Sequence, residues 1–238
     1  MNFNASELGY RELNRKIREY KGSVVIDNCF GERFIGVGLE DKVININGVP
    51  GNALGAYLNG ATIKVNGNVQ DAVGDTMNDG IIVVDGNAGD ALGYAMRGGS
   101  IYVKGNSGYR TGIHMKQYRD RCPSIIVGGS AGSFLGEYLA GGLIIVLGIG
   151  VDKMPLGNFT GMGMHGGVIY LRSDKRPSNL SEQIVVKKAD GEDMEKIKDK
   201  LINYCEFFDI KMNAILSKPF YILTPNVKNP YKQLYTEN

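Results

Sequence analysis

The sequence predicts an all-β solenoid: a parallel β-helix of about seven coils, preceded by a helix and followed by a small α+β cap. Three observations predict it. Between residues 44 and 112 the chain repeats itself every 19 residues, with Ile44, Ile63, Ile82 and Ile101 in one register and Ile46, Val65, Val84 and Val103 in another two places on. Self-similarity at a fixed short period marks stacked repeats. The Ile-x-Val alternation that opens each repeat is a short strand with one face inward. Nineteen residues are also too few for a βαβ crossover with its helix. A left-handed hexapeptide helix fails on the same residues, because steps of six from Ile44 land on Pro50, Ala56 and Thr62.

Taken in order, residues 1–22 form the first unit, a polar N-terminus with an amphipathic helix over 6–22. Tyr10, Leu13, Ile17 and Tyr20 share one face. The other face carries Arg11, Arg15, Lys16 and Arg18 among Glu7, Glu12 and Glu19, a run that reads as a solvated surface, with contact to an acidic partner as the alternative. Gly22 is placed to stop the helix.

Residues 23–172 form the repeat domain. Its first copy is degenerate, as terminal repeats are. Val25 stands 19 before Ile44, and Cys29 takes a glycine place. After residue 112 the period stretches twice, giving strand starts at Ile125, Ile144 and Ile169. Equal positions then make aliphatic ladders through the core, including a third through Leu54, Val73, Leu92, Thr111 and Leu135. A Leu/Met column runs through Leu58, Met77, Met96 and Met115. The turn glycines are Gly48, Gly67, Gly86, Gly105, Gly129 and Gly148 after the strands, with Gly55, Gly74, Gly93, Gly112 and Gly136 further on. They mark bends that need positive φ or close backbone approach. The two stretched intervals place insertions at 114–122 and 149–160, where repeat proteins carry surface and binding loops. Within the first, Lys116, Tyr118, Arg119 and Arg121 are the candidate interface, since Arg and Tyr are enriched at binding hot spots.

Residues 173–238 form the extension. A polar linker over 173–183 leads to a helix over 192–216 with Met194, Ile197, Leu201, Cys205 and Phe208 on one face. A short strand over Pro219–Leu223 follows, and Pro225 and Pro230 break the tail. The extension is expected to cap the last coil, whose open end would otherwise aggregate.

Composition narrows the function. Of 238 residues, 43% are apolar and 22% charged, enough for a sizeable core. Glycine is in excess at 34 residues, but prolines number 7 and the period is not three, so the chain is not collagen-like. A net charge of +2 gives no reason to expect nucleic acid. Cys29, Cys122 and Cys205 are widely spaced and odd in number, against a disulfide framework or a CxxC metal site. Neither a signal-peptide core nor a membrane-length apolar run occurs, so a cytoplasmic location without membrane contact is expected.

No residue is assigned to catalysis, cofactor or metal. Gly86-Asn87-Ala88-Gly89 resembles a phosphate loop, but equivalent glycines recur at every repeat. Asn52, Asp71 and Asp90 share a column suited to bonding turn amides. Asn68, Asn87 and Asn106, with Ser130 after them, suit a side-chain amide ladder. Nothing in the sequence pairs His114 with His165, and Ser133 and Thr111 lack a GxSxG setting.

The repeat, together with Gly157–Tyr170 (GNFTGMGMHGGVIY) and Gly136–Gly148 (GEYLAGGLIIVLG), resembles the GXGXG domain at the C-terminus of the glutamate synthase large subunit. Arg11–Glu19 (RELNRKIRE) is similar to the start of stand-alone archaeal and bacterial versions, where the large subunit is split into separate polypeptides. The likeness spans about residues 7–171. The component of formylmethanofuran dehydrogenase that carries the same domain is similar in the same way. The resemblance implies a single-stranded, right-handed β-helix. It implies a non-catalytic subunit bracing a glutaminase-type amidotransferase and a flavin/iron–sulfur glutamate synthase subunit, which together move glutamine's amide nitrogen to 2-oxoglutarate. FMN and iron–sulfur clusters are then expected on those partners, with no cofactor on this chain. The other readings are the GXGXG component of a formylmethanofuran dehydrogenase-type oxidoreductase, a polysaccharide-acting β-helix enzyme, and a homo-oligomeric scaffold.

Overall fold

The structure, a computed structural model, describes residues 1–226. Its elements in chain order are β1 (Asn2–Asn4), α1 (Ala5–Glu19), β2 (Val24–Phe30), β3 (Val43–Val49), β4 (Asn59–Asn66), β5 (Asp79–Val84), β6 (Ser100–Val103), β7 (Ser124–Val127), β8 (Ala140–Val146), β9 (Gly166–Arg172), β10 (Ile184–Lys188), α2 (Gly191–Phe208), α3 (Met212–Ile215) and β11 (Phe220–Pro225). All eleven strands join one sheet in the order β1 through β9, then β11 and β10. Pairing is parallel from β1 to β9 and antiparallel where β11 meets β9 and β10.

This architecture corrects the expected all-β solenoid and its right-handed parallel β-helix of about seven coils. The protein is an α/β fold built on one mixed, mostly parallel eleven-stranded sheet. One helix lies between β1 and β2, and two lie between β10 and β11. The reason is physical. A 19-residue aliphatic period reports which side chains stack on the inner side of the sheet. It says nothing about what covers the outer side. There the column Asn45, Lys64, Val83, Tyr102, Ile126, Ile145, Tyr170 starts polar and turns apolar. From Val83 onward each member is buried. Ile197, Leu201, Tyr204 and Phe208 of α2 close over that half as a second core. Helix α2 of the extension therefore lies against a face of the sheet, while the extension's strand β11 covers the end strand β9.

The inner core runs the length of the sheet. Ile44, Ile63, Ile82, Ile101, Ile125, Ile144 and Ile169 are fully buried and pair strand to strand in register. Each buried aliphatic contributes roughly 1.5–3 kcal/mol. Between β2 and β9, each strand returns to the next through a glycine-rich segment of turns. Leu54, Val73, Leu92, Thr111 and Leu135 of those segments, with Leu58, Met77, Met96, Met115, Leu139 and Met164, form the opposite wall and are buried. Thr111 satisfies its hydroxyl on Ser107 Oγ at 2.9 Å.

Boundaries moved in several places. Val24, not Val25, pairs with Ile44, and the register recovers by Cys29 opposite Gly48. A bulge at Asn28 (φ +56) absorbs the extra residue. Strand β1, absent from the expected elements, pairs with Val25–Asp27 at the sheet edge. Helix α1 buries Leu13 and Ile17 while Tyr20 is exposed, and the helix ends at Glu19 with Tyr20 as its cap, before Gly22. The expected helix over 192–216 is two helices, because Asp209 adopts a left-handed cap (φ +52). Asp190 opens α2 with a reciprocal capping box to Asp193. Strand β10, which lies between the expected linker and the expected helix in chain given no element, pairs with β11. The buried Arg172 ties α3 to the sheet, donating to Ile215 O (2.6 Å), Ala214 O (3.0 Å) and Leu147 O (2.9 Å). Pro230 lies outside the described residues.

Candidate interaction surface

The return segments carry an unusual backbone. In successive repeats Phe34, Ala53, Ala72, Ala91, Arg110, Phe134 and Phe159 have positive φ, and so do Tyr57, Thr76, Ala95, His114 and Tyr138 four residues on. Between them Gly55, Gly74, Gly93, Gly112 and Gly136 do the same. The alternation turns successive amides in opposite directions. Ala72 N donates forward to Asp90 O (2.8 Å), Gly74 N back to Leu54 O (2.9 Å), and Thr76 N forward to Tyr94 O (2.7 Å). Each return segment is thus tied to both neighbours, which satisfies its backbone polar groups.

The two sets of turn glycines meet different constraints. A Cβ on Gly74 would lie 2.5 Å from Ile101 Cδ1, and Gly55, Gly93, Gly112 and Gly136 face the corresponding isoleucines Ile82, Ile125, Ile144 and Ile169. Gly48 and Gly67 press on backbone of the preceding repeat, Gly86 on backbone and on Asn68, Gly105 on Asn87, Gly129 on Asn106, and Gly148 on Pro155. The asparagines complete the pattern. Asn68 Oδ1 accepts from Asn87 N, Asn87 Oδ1 from Asn106 N, and Asn106 Oδ1 from Ser130 N, all at 2.8 Å. Asp71 and Asp90 likewise accept the backbone amides of Asp90 (2.9 Å) and Tyr109 (2.8 Å). These columns serve the backbone.

Chemistry-bearing side chains are held in structural roles. Lys200 Nζ donates to Ser100 Oγ at 2.9 Å, and Ser124 Oγ donates to the same oxygen at 2.8 Å. Burial lowers the Lys200 pKa. Together with Tyr204 Oη on Lys104 O (3.2 Å) and Asn203 Nδ2 on Tyr102 Oη (3.2 Å), this clasp pins α2 to the sheet. Burial, then Glu32, pushes the Cys29 thiol up to about 12. Among the described residues no group of three or more His, Cys, Asp or Glu is arranged to hold a metal ion. No helix of the described residues is long and apolar enough to cross a membrane.

What faces outward is aromatic. His114 stacks on Tyr138 (5.2 Å between centroids) and meets Tyr94 edge-on (5.9 Å). Phe134 stacks on Phe159 at 5.0 Å, with the Arg110 guanidinium 4.9 Å over the Phe134 ring. Arg110 also pairs with Glu137 at 3.2 Å. Tyr94, Tyr109, Tyr138, Phe159 and Met162 are exposed. Of the candidate interface residues, Tyr118 and Arg121 close a small antiparallel bridge, and Arg119 lies 5.2 Å over the Tyr118 ring. Arg121 reaches Asn78 O at 3.4 Å. Lys116 is set apart, its backbone continuing the ladder through Met96 O (3.0 Å). The loop follows His114 in the chain. His165, by contrast, lies on the last repeat with Nδ1 3.2 Å from Gly163 O. Sequence reading missed the aromatic columns. One signal was present, since Phe134 and Phe159 are 25 apart, the stretched spacing of Ile144 and Ile169.

The GXGXG motif family model matches residues 11–226. An uncharacterized protein of Methanocaldococcus jannaschii is 42% identical over 248 residues, covering 98% of this chain and 95% of the relative. Among solved structures, a chain of the formyltransferase/hydrolase complex FhcABCD of Methylorubrum extorquens, crystallised with methylofuran, is similar with a TM-score of 0.61. Identity there is 24%, over 76% of this chain and 66% of that chain. At that identity the likeness is one of fold.

Proposed function

Since this chain belongs to the GXGXG motif family, we propose that it is a framework subunit of a multisubunit complex, holding catalytic partners against one another. One observation carries the reading. Tyr94, His114 and Tyr138 stack together and Phe134 stacks on Phe159, all but Phe134 exposed, and the exposed Tyr118–Arg119 pair follows His114 in the chain. Aromatic residues and arginine concentrate at interface cores. A rigid sheet with stacked returns suits such a role, because it presents side chains on a backbone bonded to both neighbours. The structural neighbour is itself a chain of a multisubunit complex.

Two partner sets fit. The resemblance to the glutamate synthase domain favours a glutaminase-type amidotransferase and a flavin/iron–sulfur synthase subunit, which would carry FMN and the clusters. The fold likeness to the formyltransferase/hydrolase complex favours a partner set related to formylmethanofuran chemistry. Affinity purification of the tagged chain from its native lysate, with mass spectrometry, tests both. Co-purifying glutaminase and flavoprotein chains support the first set, and formyl-transferring chains the second. Recovery as an isolated monomer overturns the framework reading. Deleting residues 117–121 is expected to leave the melting temperature within a few degrees of wild type while abolishing co-purification.

A further inference from the structure

At the opposite end of the molecule, α1 and the first return segment enclose a cleft of about 320 Å³ that the framework reading does not use. Tyr10, Asn14 and Ile17 form one wall, and Phe34, Val37 and Leu39 the other. The walls are locked together: Asn14 Nδ2 donates to Tyr10 O (2.8 Å) and Arg33 O (2.9 Å), and Arg18 donates to Val37 O (2.8 Å). Two guanidiniums converge on one phenol. Arg11 Nε donates to Tyr10 Oη at 3.0 Å and Arg33 Nη2 at 3.4 Å. The Arg33 guanidinium also lies 4.7 Å over the Tyr10 ring and 5.5 Å over that of Phe34.

The charges here are not balanced. Further along the same helix, Arg15 pairs with Glu12 (2.6 Å) and Glu19 (2.7 Å), and Lys16 with Glu12 (3.9 Å). Arg11, Arg18 and Arg33 have no carboxylate partner among the described residues. Tyr10 Oη only accepts, so its own hydroxyl hydrogen has no acceptor among the described residues. The hydrogen bonds from Arg33, then Arg11, lower the Tyr10 pKa, so the phenol is a better donor than an ordinary tyrosine. Unpaired guanidiniums held close together favour an anion, and their planar fork matches the oxygens of a carboxylate or phosphate.

The geometry points to an oxyanion site at the rim of the cleft: a carboxylate or phosphate group binds where Arg11, Arg33 and the Tyr10 hydroxyl converge and donate to its oxygens, with Phe34 flanking the apolar body that bears it. The anion is either a free small molecule or an acidic side chain of a partner. The site stands whether or not the framework reading does, because it is tested on the isolated chain.

Isothermal titration calorimetry of the full chain with inorganic phosphate, with benzoate and with a glutamate-rich hexapeptide tests it. At least one probe is expected to bind saturably, and about tenfold or more weaker to Arg11→Gln/Arg33→Gln. Phosphate or benzoate binding best indicates a free ligand; the hexapeptide binding best indicates a partner's acidic segment. In parallel, the side-chain Nε–Hε resonances of Arg11 and Arg33 are expected to shift on saturation, with that of Arg15 unmoved. Tyr10→Phe keeps both charges and both rings and is expected to weaken binding several-fold, which carries the test if the double variant does not fold. Equal affinity of wild type and Tyr10→Phe, or Arg15 shifting along with Arg11, overturns the site. So does the absence of saturable binding by all three probes.

Discussion

A left-handed backbone at alanine is tolerated in this protein because the neighbouring repeats hold it there. Ala72 (φ +57) and Gly74 (φ +67) differ by two residues and one methyl group, yet they predict opposite outcomes. Gly74→Ala adds left-handed strain and drives a methyl into Ile101, which is fully buried and cannot yield. The expected loss is about 2–4 kcal/mol. Ala72→Gly relieves strain while raising the entropy of the unfolded chain, so it should lie within about 1 kcal/mol of wild type, on the stabilising side. Urea midpoints for the two variants check this; a similar loss for both would mean that φ is not the controlling variable. Asp193 gives a second prediction. It is buried and pairs with Lys187 (2.7 Å) and Lys196 (3.2 Å). The Lys187 hydrogen bond chiefly holds its carboxyl below the usual range, opposed by desolvation. A depressed folded pKa contributes stability that is present above the unfolded value, about 3.9, and lost as the pH falls below it toward the folded value. Wild type should therefore lose its melting-temperature advantage over Asp193→Asn between about pH 4 and pH 2. A constant gap across that window would show that the ion pairs contribute nothing.

Helix α2 decides how the sheet's outer face is covered. It buries Ile197, Leu201, Tyr204 and Phe208 on Tyr102, Ile126, Ile145 and Tyr170. Leu201→Asp places an unpaired carboxylate in that contact, at a cost the clasp of Lys200 and Tyr204 cannot offset. The expected result is a detached α2 over an intact parallel ladder. Hydrogen exchange should become fast in 191–208 and stay slow in β3 to β5, with new binding of a hydrophobic dye. Uniformly fast exchange would show instead that the helix is integral to the sheet's stability. The helix and its apolar face were legible in the sequence through Met194, Ile197, Leu201, Cys205 and Phe208. Its placement was not, because periodicity along a helix identifies a buried face but not the surface that buries it.

Across the whole molecule, stability rests on the register that joins β3 to β9. Ile82 is fully buried at its centre, whereas Lys64 is exposed on the other face, 6.0 Å from the Phe207 ring. Ile82→Asp should cost about 4 kcal/mol or more and leave the chain unfolded at ambient temperature. Lys64→Asp forfeits at most a cation–π contact, about 1 kcal/mol. Thermal melts that moved equally for both would contradict the assignment of inner and outer faces.

The 19-residue spacing of Ile44, Ile63, Ile82 and Ile101 already contained the parallel pairing and the inner core, because residues one period apart must superpose when identical units stack. The insertions at 114–122 and 149–160 were likewise visible as departures from that spacing. Three features needed the folded chain. The layer of helix over the outer face, which makes the protein α/β, joins residues a hundred positions apart, such as Lys200 and Ser100. The cleft at Tyr10 brings Arg33 back onto α1 from 23 residues away. The alternating left-handed turns that aim Tyr94, His114 and Tyr138 outward are imposed by bonds to adjacent repeats. Local residue type carries no record of such contacts, which arise only when distant segments compete for the same surface.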